Sequence, residues 1–133
     1  MGQTRPFKPI ALVVEDDMLQ REGVAALLEE SEMDVVQCDT AEEALRALEK
    51  LGECVSLIFT NVKLNGKIDG VELAHFSTQR YPNIRVIVTS GLALTRRLPE
   101  GVKFIPKPWL PLDVLREAER SQHGRRRTGS QSR

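Results

Sequence analysis

The sequence predicts an α/β domain in which helices cover both faces of a five-stranded parallel sheet. Short, nearly unbroken apolar runs recur along the 133-residue chain, and most are followed by a segment with apolar residues at helical spacing. Such runs are typical of strands buried on both faces, and strands that alternate with helices are typical of parallel sheets. Polar residues gather where the runs end, which is where doubly wound sheets bind their ligands.

The pattern assigns each predicted element a place in the chain. In order, these are a strand at 10–14, a helix at 18–30, a strand at 35–38, a helix from 41, a strand at 55–59, a helix from 69, strands at 85–88 and 102–105, and a helix from 111. Thr40 with Glu43 predicts a capping box, and Asp69 with Glu72 predicts the start of the third helix. Segment 91–101 contains a proline and has room for one or two turns, so a shortened fourth helix is expected.

Four predicted strands end in residues that carry chemistry. These ends read Glu15-Asp16-Asp17, Thr60-Asn61, Thr89-Ser90-Gly91 and Pro106-Lys107-Pro108. In a flavodoxin-like sheet of order 2-1-3-4-5, all four ends meet at one edge, so a single pocket is expected. Adjacent carboxylates suit a hard cation such as Mg²⁺, and a hydroxyl with an ammonium suits phosphoryl oxygens.

Composition and charge predict how the chain is organised. The acidic body has basic ends, which predict an N-terminal arm at residues 1–8, a domain at 9–121 and a disordered basic tail at 122–133. No apolar run reaches membrane-helix length and no signal-peptide core is present, so a cytoplasmic protein without membrane contact is expected. Cys38 and Cys54 have no metal-like spacing and are expected to be small core residues.

The motifs at the strand ends resemble those of the response-regulator receiver family of two-component signalling. The resemblance covers roughly residues 8 to 120 and rests on Leu12-Val-Val-Glu-Asp-Asp17, Leu57-Ile-Phe-Thr-Asn-Val62 with Asp69-Gly70-Val-Glu-Leu73, Val86-Ile-Val-Thr-Ser90 and Phe104-Ile-Pro-Lys-Pro108. Each motif alone is weak, because acidic clusters and Lys-Pro pairs occur in many chains. Their order at successive strand ends makes the combination specific.

The resemblance implies a role for each matching residue. Glu15 and Asp16 are similar to the acidic pair that holds Mg²⁺, with Asp16 as the direct ligand, and Lys63 matches the residue that lends its backbone carbonyl. Asn61 stands at the phosphate-acceptor position, which also contributes a metal ligand in the family.

Further positions match the family's phosphate contacts and its switch. Thr89 matches the hydroxyl that moves to the phosphoryl group, and Lys107 matches the lysine that contacts it. Lys107 precedes Pro108, a position at which the family usually has a cis proline. Phe104 matches the switch aromatic. The family is not enzymatic in the usual sense, so no enzyme activity is expected.

Asn61 departs from the family, which has an aspartate there. A carboxylate attacks the phosphohistidine of a kinase and becomes an acyl phosphate, whereas a neutral carboxamide is too weak a nucleophile for this step. The chain as written is therefore expected to be unphosphorylatable, and its Mg²⁺ site is expected to be weakened by the loss of one charged ligand. Asn61 is either natural, in a pseudo-receiver, or a deliberate replacement, and the remaining residues leave both open.

Three function classes follow from these observations. The first is a single-domain phosphorelay receiver whose partner is a histidine kinase or phosphotransferase protein. The second is a phosphate-independent protein-interaction module. The third, a small-molecule binder, is weakest because no glycine-rich loop follows the first strand. The downstream partner is unknown, nucleic acid is not favoured, and a shortened fourth helix predicts a monomer, because the family commonly dimerises around its fourth and last helices.

Overall fold

The computed structural model describes residues 8–131, of which 123–131 are described by their backbone alone. Its elements are β1 (Ile10–Val14), α1 (Met18–Glu30), β2 (Asp34–Cys38), α2 (Ala41–Leu51), a 3-10 turn (Gly52–Cys54), β3 (Val55–Asn61), α3 (Gly70–Arg80), β4 (Arg85–Ser90), β5 (Lys103–Pro106) and α4 (Pro111–Gln131). The predicted strands and helices are confirmed with small shifts at their ends, except for the short helix expected within 91–101.

The five strands form one parallel sheet in the order β2-β1-β3-β4-β5, which confirms the predicted topology. The register pairs Val14 with Thr60 and Asn61 with Thr89. The ends of β1, β3 and β4 therefore lie side by side at one edge of the sheet, and β5 follows with Ser90 opposite Pro106. This edge is the place where the strand order reverses and where ligands bind in such sheets.

The core has two parts, one on each face of the sheet. Alternate residues of each strand point to opposite faces, so the first part packs residues such as Leu12 and Ile58 against α2 and α3, while the second packs Val13 and Phe59 against α1 and α4. Cys38 is buried in the first part, as expected. The prediction of a buried Cys54 is wrong, because the 3-10 turn after α2 leaves it exposed.

Local capping sets the starts of α2 and α3. The side chain of Thr40 accepts a hydrogen bond from the Glu43 backbone N–H at 3.1 Å. The Glu43 carboxylate, however, accepts from the backbone N–H of Asp39 at 2.6 Å and not from that of Thr40. The predicted capping box at α2 is therefore only half formed. At α3 the box is complete, since Asp69 and Glu72 each accept from the other's backbone N–H, at 3.0 and 2.9 Å.

The expected shortened helix between β4 and β5 is absent, because the segment from Gly91 to Val102 forms turns and irregular backbone. Side-chain contacts hold this segment instead of helical hydrogen bonds. Arg96 forms an ion pair with Asp69 at the start of α3, and the ring of His75 contacts the Arg97 carbonyl at 3.0 Å. A proline and a left-handed Gly101 (φ 88°) also interrupt helical geometry here.

The last helix continues beyond residue 121, where the sequence predicts that the domain ends. The backbone of residues 122–131 continues this helix. The stretch has no proline to end the helix, although it includes Gly124 and Gly129. Residues 1–7 of the predicted arm and residues 132–133 lie outside the described part. Within the described part, no helix combines the length and apolar character needed to cross a membrane.

Candidate functional site

The carboxyl ends of the strands bring the predicted site residues together around one small cavity. Glu15 follows β1, Asn61 ends β3, Thr89 lies in β4 and Lys107 follows β5, and all four line this cavity. Apolar residues from the second core part and from α1 close its base. Of the side chains expected around one pocket, Glu15, Asn61, Thr89 and Lys107 line this cavity, whereas Asp16 does not.

The acidic pair after β1 is held by hydrogen bonds to neighbouring segments. Glu15 is only 7% exposed, and its carboxylate lies 3.3 Å from the Lys107 ammonium and accepts from the backbone N–H of Asp17 at 3.1 Å. Asp16 accepts from the backbone N–H of Asn65 at 3.0 Å and so contacts the loop after β3. One carboxylate thus faces the lysine and the other faces the loop.

Lys107 has a second partner that the sequence did not indicate. Its ammonium donates to the side-chain oxygen of Gln20 at 2.7 Å, a shorter contact than its 3.3 Å approach to Glu15. Gln20 lies in the first turn of α1, where Asp17 caps its backbone N–H at 3.0 Å. That cap lowers the pKa of Asp17 below its usual value. The peptide bond between Lys107 and Pro108 is cis, as the resemblance implied.

Asn61 is fixed at both its backbone and its side chain. Its amide nitrogen donates to the Lys63 carbonyl at 2.9 Å, and its backbone carbonyl accepts from the Thr60 hydroxyl at 2.9 Å. The side-chain oxygen of Asn61 is buried and has no protein hydrogen-bond partner. Gly70 packs so closely behind Asn61 that a Cβ there would lie 2.0 Å from the Asn61 carbonyl oxygen, which explains why glycine begins α3.

Thr89 lies beside Asn61, and its side chain also lacks a hydrogen-bond partner in the protein. The Thr89 residue is 2% exposed, and its hydroxyl has no protein partner. Its backbone carbonyl accepts from the N–H of Val62 at 2.9 Å, which extends the strand pairing past Asn61. Phe104, the expected switch aromatic, lies outside the cavity and packs half-buried against the first part of the core.

The loop after β3 is anchored at several points. Asn65 forms a parallel bridge with Thr40, and Lys67 donates its backbone N–H to the Glu42 carboxylate at 2.8 Å. This bond lowers the pKa of Glu42, so the anchor is an anion at neutral pH. Gly66 (φ 101°) lies against Glu42, and a Cβ on it would come within 2.6 Å of the carboxylate. The loop carries Lys63, so these contacts also fix its carbonyl.

Several oxygen atoms of the site suit a magnesium ion. Glu15 and Asp16 supply carboxylates and Lys63 supplies a carbonyl, the hard oxygen donors that Mg²⁺ prefers. Side chains described through residue 122 include no group of three or more Asp, Glu, His or Cys that could hold a metal ion. The Lys63 carbonyl also already accepts from the Asn61 amide. The two carboxylates and the carbonyl fit Mg²⁺ in kind, and the Lys63 carbonyl keeps a second lone pair beside the hydrogen bond from Asn61.

Trp109 packs next to the site from the segment after β5. Its ring meets that of Phe59 edge to face, with centroids 5.9 Å apart and planes at 84°. It lines the same cavity as Asn61 and Thr89, and its indole nitrogen is buried without a protein hydrogen-bond partner. Trp109 therefore both packs against the core and borders the site.

Comparison with known proteins agrees with this geometry. The sequence profile of the response regulator receiver domain matches residues 11–118. The chain belongs to the response regulator receiver family. Receiver domains are in general signalling modules rather than enzymes, bind Mg²⁺ and interact with histidine kinases or phosphotransferase proteins.

Two curated relatives from Brucella abortus (strain 2308) show different extents of similarity. The receiver described here is 27% identical over 114 residues to the response regulator receiver protein CpdR, covering 82% of this chain and 92% of CpdR. It is 32% identical over 103 residues to the sensor kinase CckA, covering 74% of this chain. This match spans only 11% of the kinase.

Solved receiver structures superpose over most of the chain. The CheY-like receiver domain protein from Methanospirillum hungatei JF-1 has a TM-score of 0.75 at 25% identity, covering 91% of this receiver and 98% of that chain. The receiver domain of the hybrid histidine kinase CckA has a TM-score of 0.73 at 27% identity, covering 84% and 97%.

Proposed function

We propose that this receiver belongs to a two-component phosphorelay and carries Asn61 at the position of the phosphate acceptor, so that the chain as written cannot be phosphorylated. The observation that carries the proposal is the position of Asn61 at the end of β3, beside Thr89 and in the same cavity as Lys107 and Glu15. With an aspartate at position 61, a histidine kinase or phosphotransferase protein is the expected phosphate donor.

Each group of the site has a part in this proposal. An aspartate at position 61 would attack the phosphorus, and the Lys107 ammonium and Thr89 hydroxyl would bind the phosphoryl oxygens. Asp16, Glu15 and the Lys63 carbonyl would hold Mg²⁺, which neutralises charge on the incoming phosphoryl group. Asn61 removes the nucleophile and leaves these supporting groups in place. Phe104 would act as the switch aromatic that responds to Thr89.

A phosphate-independent interaction module is the second candidate, and one observation favours it. The Asn61 amide satisfies the Lys63 carbonyl at 2.9 Å, and Gln20 and Glu15 satisfy the Lys107 ammonium at 2.7 and 3.3 Å. The Lys63 carbonyl and the Lys107 ammonium are therefore satisfied by the protein's own side chains, which suits a natural pseudo-receiver that keeps one conformation. In either case we propose a cytoplasmic monomer with its domain at residues 9–121.

Phosphotransfer from autophosphorylated histidine kinases tests the proposal. The chain and its Asn61→Asp variant are mixed with each kinase, and transfer is expected only to the variant. Lys107→Ala added to that variant should slow transfer, because the phosphoryl group loses a cationic contact. Transfer to the unmodified chain at the variant's rate would contradict the proposal. A variant that binds Mg²⁺ but accepts no phosphate would favour the interaction module.

A further inference from the structure

Three unpaired polar atoms share one location. Within the described residues, four buried side-chain polar atoms have no protein hydrogen-bond partner, and one of them belongs to Glu42 in the loop contact described above. The other three are the side-chain oxygen of Asn61, the hydroxyl of Thr89 and the indole nitrogen of Trp109. All three residues line the same cavity. Buried polar groups are rarely left unpaired, and ordered water is a common partner for those that lack a protein one.

The size of the cavity matches one particular ligand. Its volume is about 10 Å³, and a single water molecule needs roughly 10–15 Å³ together with two to four polar partners. In the conformation described here, this space is too small for a phosphate group or an organic ligand. Phe59 and Val13 form apolar walls, and the other polar residues of the lining are Glu15, Gln20 and Lys107. These three side chains already bond to one another, because the Lys107 ammonium contacts Glu15 and Gln20.

The hydrogen-bonding capacities of the three groups complement one water molecule. An indole N–H only donates, an amide oxygen only accepts, and a hydroxyl does either. The orientation of the Asn61 amide is fixed by its other end, because its nitrogen donates to the Lys63 carbonyl. A water can therefore accept a hydrogen bond from the Trp109 indole N–H and donate one to the Asn61 side-chain oxygen. A third hydrogen bond joins it to the Thr89 hydroxyl, which can either donate or accept.

We propose that this cavity binds one water molecule that joins the Trp109 indole to Asn61 and Thr89, and that Trp109 is a positioning residue for the acceptor site. The bridge rests on the geometry alone, whereas the positioning role rests on the proposed function. The edge-to-face contact with Phe59 holds the indole ring in place. Trp109 is followed by the exposed Leu110, so the bridge connects position 61 with the surface at the start of α4.

Nuclear magnetic resonance of the indole group tests the bridge directly. The chain has a single tryptophan, so the ¹⁵N-labelled protein gives one indole N–H signal. We expect cross-relaxation between this N–H and a water that stays bound long enough to be detected, together with slow exchange of the N–H with solvent. An indole N–H that shows no bound-water signal and exchanges at the rate of free indole would overturn the bridge.

Variants at Thr89 separate the bridge from simple packing. Thr89→Val keeps the shape but removes the hydroxyl, so the water signal should weaken and indole exchange should speed up about two- to ten-fold, as expected for one lost hydrogen bond. Thr89→Ser keeps the hydroxyl and should preserve the signal. The matched control is Thr78→Val on α3, whose hydroxyl bonds to the Ala74 carbonyl on the other side of the sheet. Equal signals in the Thr89→Val and Thr78→Val proteins would contradict the bridge.

The positioning role has its own readout. In the Asn61→Asp background, Trp109→Phe keeps an aromatic ring but removes the N–H, and it should slow phosphorylation by a small donor about two- to ten-fold at saturating donor. An unchanged rate would refute the positioning role. If Asn61→Asp itself takes up no phosphate, the proposed function fails, whereas the indole measurement still decides whether the water bridge exists.

Discussion

Asn61 has an amide nitrogen where aspartate has a second carboxylate oxygen, so a hydrogen-bond donor replaces an acceptor at this point. The amide nitrogen donates to the Lys63 carbonyl, whereas a carboxylate oxygen in the same place would repel that carbonyl unless a cation lay between them. Asn61 thus satisfies the Lys63 carbonyl without a cation. Thr89 and Lys107 line the same cavity as Asn61, so the polar neighbours expected of the family are present around this amide.

Magnesium binding should report this single-atom difference. We predict that Mg²⁺ binds the chain about tenfold or more weakly than the Asn61→Asp variant, because binding proceeds with one carboxylate fewer. Fluorescence of Trp109, the only tryptophan, measures both titrations. Asp16→Asn in the variant serves as the control and should weaken binding again. Superimposable titration curves for the chain and the variant would contradict the ligand assignment.

Cys38 gives the chain a pH dependence that is separate from the site. Burial raises the pKa of its thiol from 9.0 to about 12, because the thiolate is poorly solvated in the core. The folded pKa is thus above the unfolded one, so the stabilisation is complete below pH 9 and is lost as the pH rises from 9 towards 12.

The matched variant for this prediction is Cys38→Ala, which has no titrating group. The free energy of unfolding of the chain should exceed that of the variant by a constant amount up to pH 9, and the difference should shrink at higher pH. Urea unfolding at a series of pH values measures it. A difference that stays constant up to pH 11 would show that the thiol is not buried as described.

The helix and loop that follow β3 determine where Asn61 lies. Gly70 begins α3 directly behind the Asn61 carbonyl, and Asp69 caps the helix and pairs with Arg96 from the segment after β4. Burial alone would raise the pKa of Asp69, but the hydrogen bond from Glu72 and the contact with Arg96 outweigh this and lower it. The cap is therefore an anion at neutral pH, and it links two of the segments that surround the site.

Alanine substitutions at two glycines test this close packing. Gly70→Ala would place a Cβ 2.0 Å from the Asn61 carbonyl oxygen, so we predict a loss of about 1–3 kcal/mol in the free energy of unfolding. Gly23→Ala in the exposed part of α1 meets nothing within 4 Å and should stabilise the protein by about 0.5–1 kcal/mol. Urea unfolding compares the two. A harmless Gly70→Ala would show that α3 lies farther from β3.

Local signals were sufficient for the features that depend on near neighbours in sequence. The capping box of Asp69 and Glu72 was readable because both partners lie within one turn. The backbone N–H that donates to the Glu43 carboxylate could not be predicted in this way. Asp39 and Thr40 offer similar N–H groups, and only the path of the chain decides between them. The contact between Lys107 and Gln20 joins residues 87 positions apart, so it required the folded arrangement of α1 and β5.

Across the whole molecule, the sheet is covered unevenly at its β5 edge. Helices α1 and α4 pack on one face and α2 and α3 on the other, whereas the segment from Gly91 to Val102 contributes no helix beside β4 and β5. The prediction of a shortened helix identified this unusual segment by its length and its proline. The ion pair of Arg96 and the contact of His75 that replace the helix depend on α3 and could not be deduced from the segment itself.

The missing helix leads to a prediction about assembly. The family commonly dimerises through the surface around the helix between its fourth and fifth strands and around its last helix. This receiver has no helix between β4 and β5. We therefore predict a monomer at micromolar concentration, measured by sedimentation velocity. The Asn61→Asp variant after phosphorylation is the matched comparison and should also remain monomeric. A stable dimer of the unmodified chain would contradict this account of the segment.

We propose that Asn61 alone separates this receiver from a phosphate-accepting one, and the decisive measurement is the intact mass after incubation with a small acyl-phosphate donor and Mg²⁺. The Asn61→Asp variant should gain the mass of one phosphoryl group, lose it in base, and carry it at position 61. The chain as written should gain nothing under the same conditions. A Mg²⁺-dependent phosphoryl group on any carboxylate of the unmodified chain would contradict the claim.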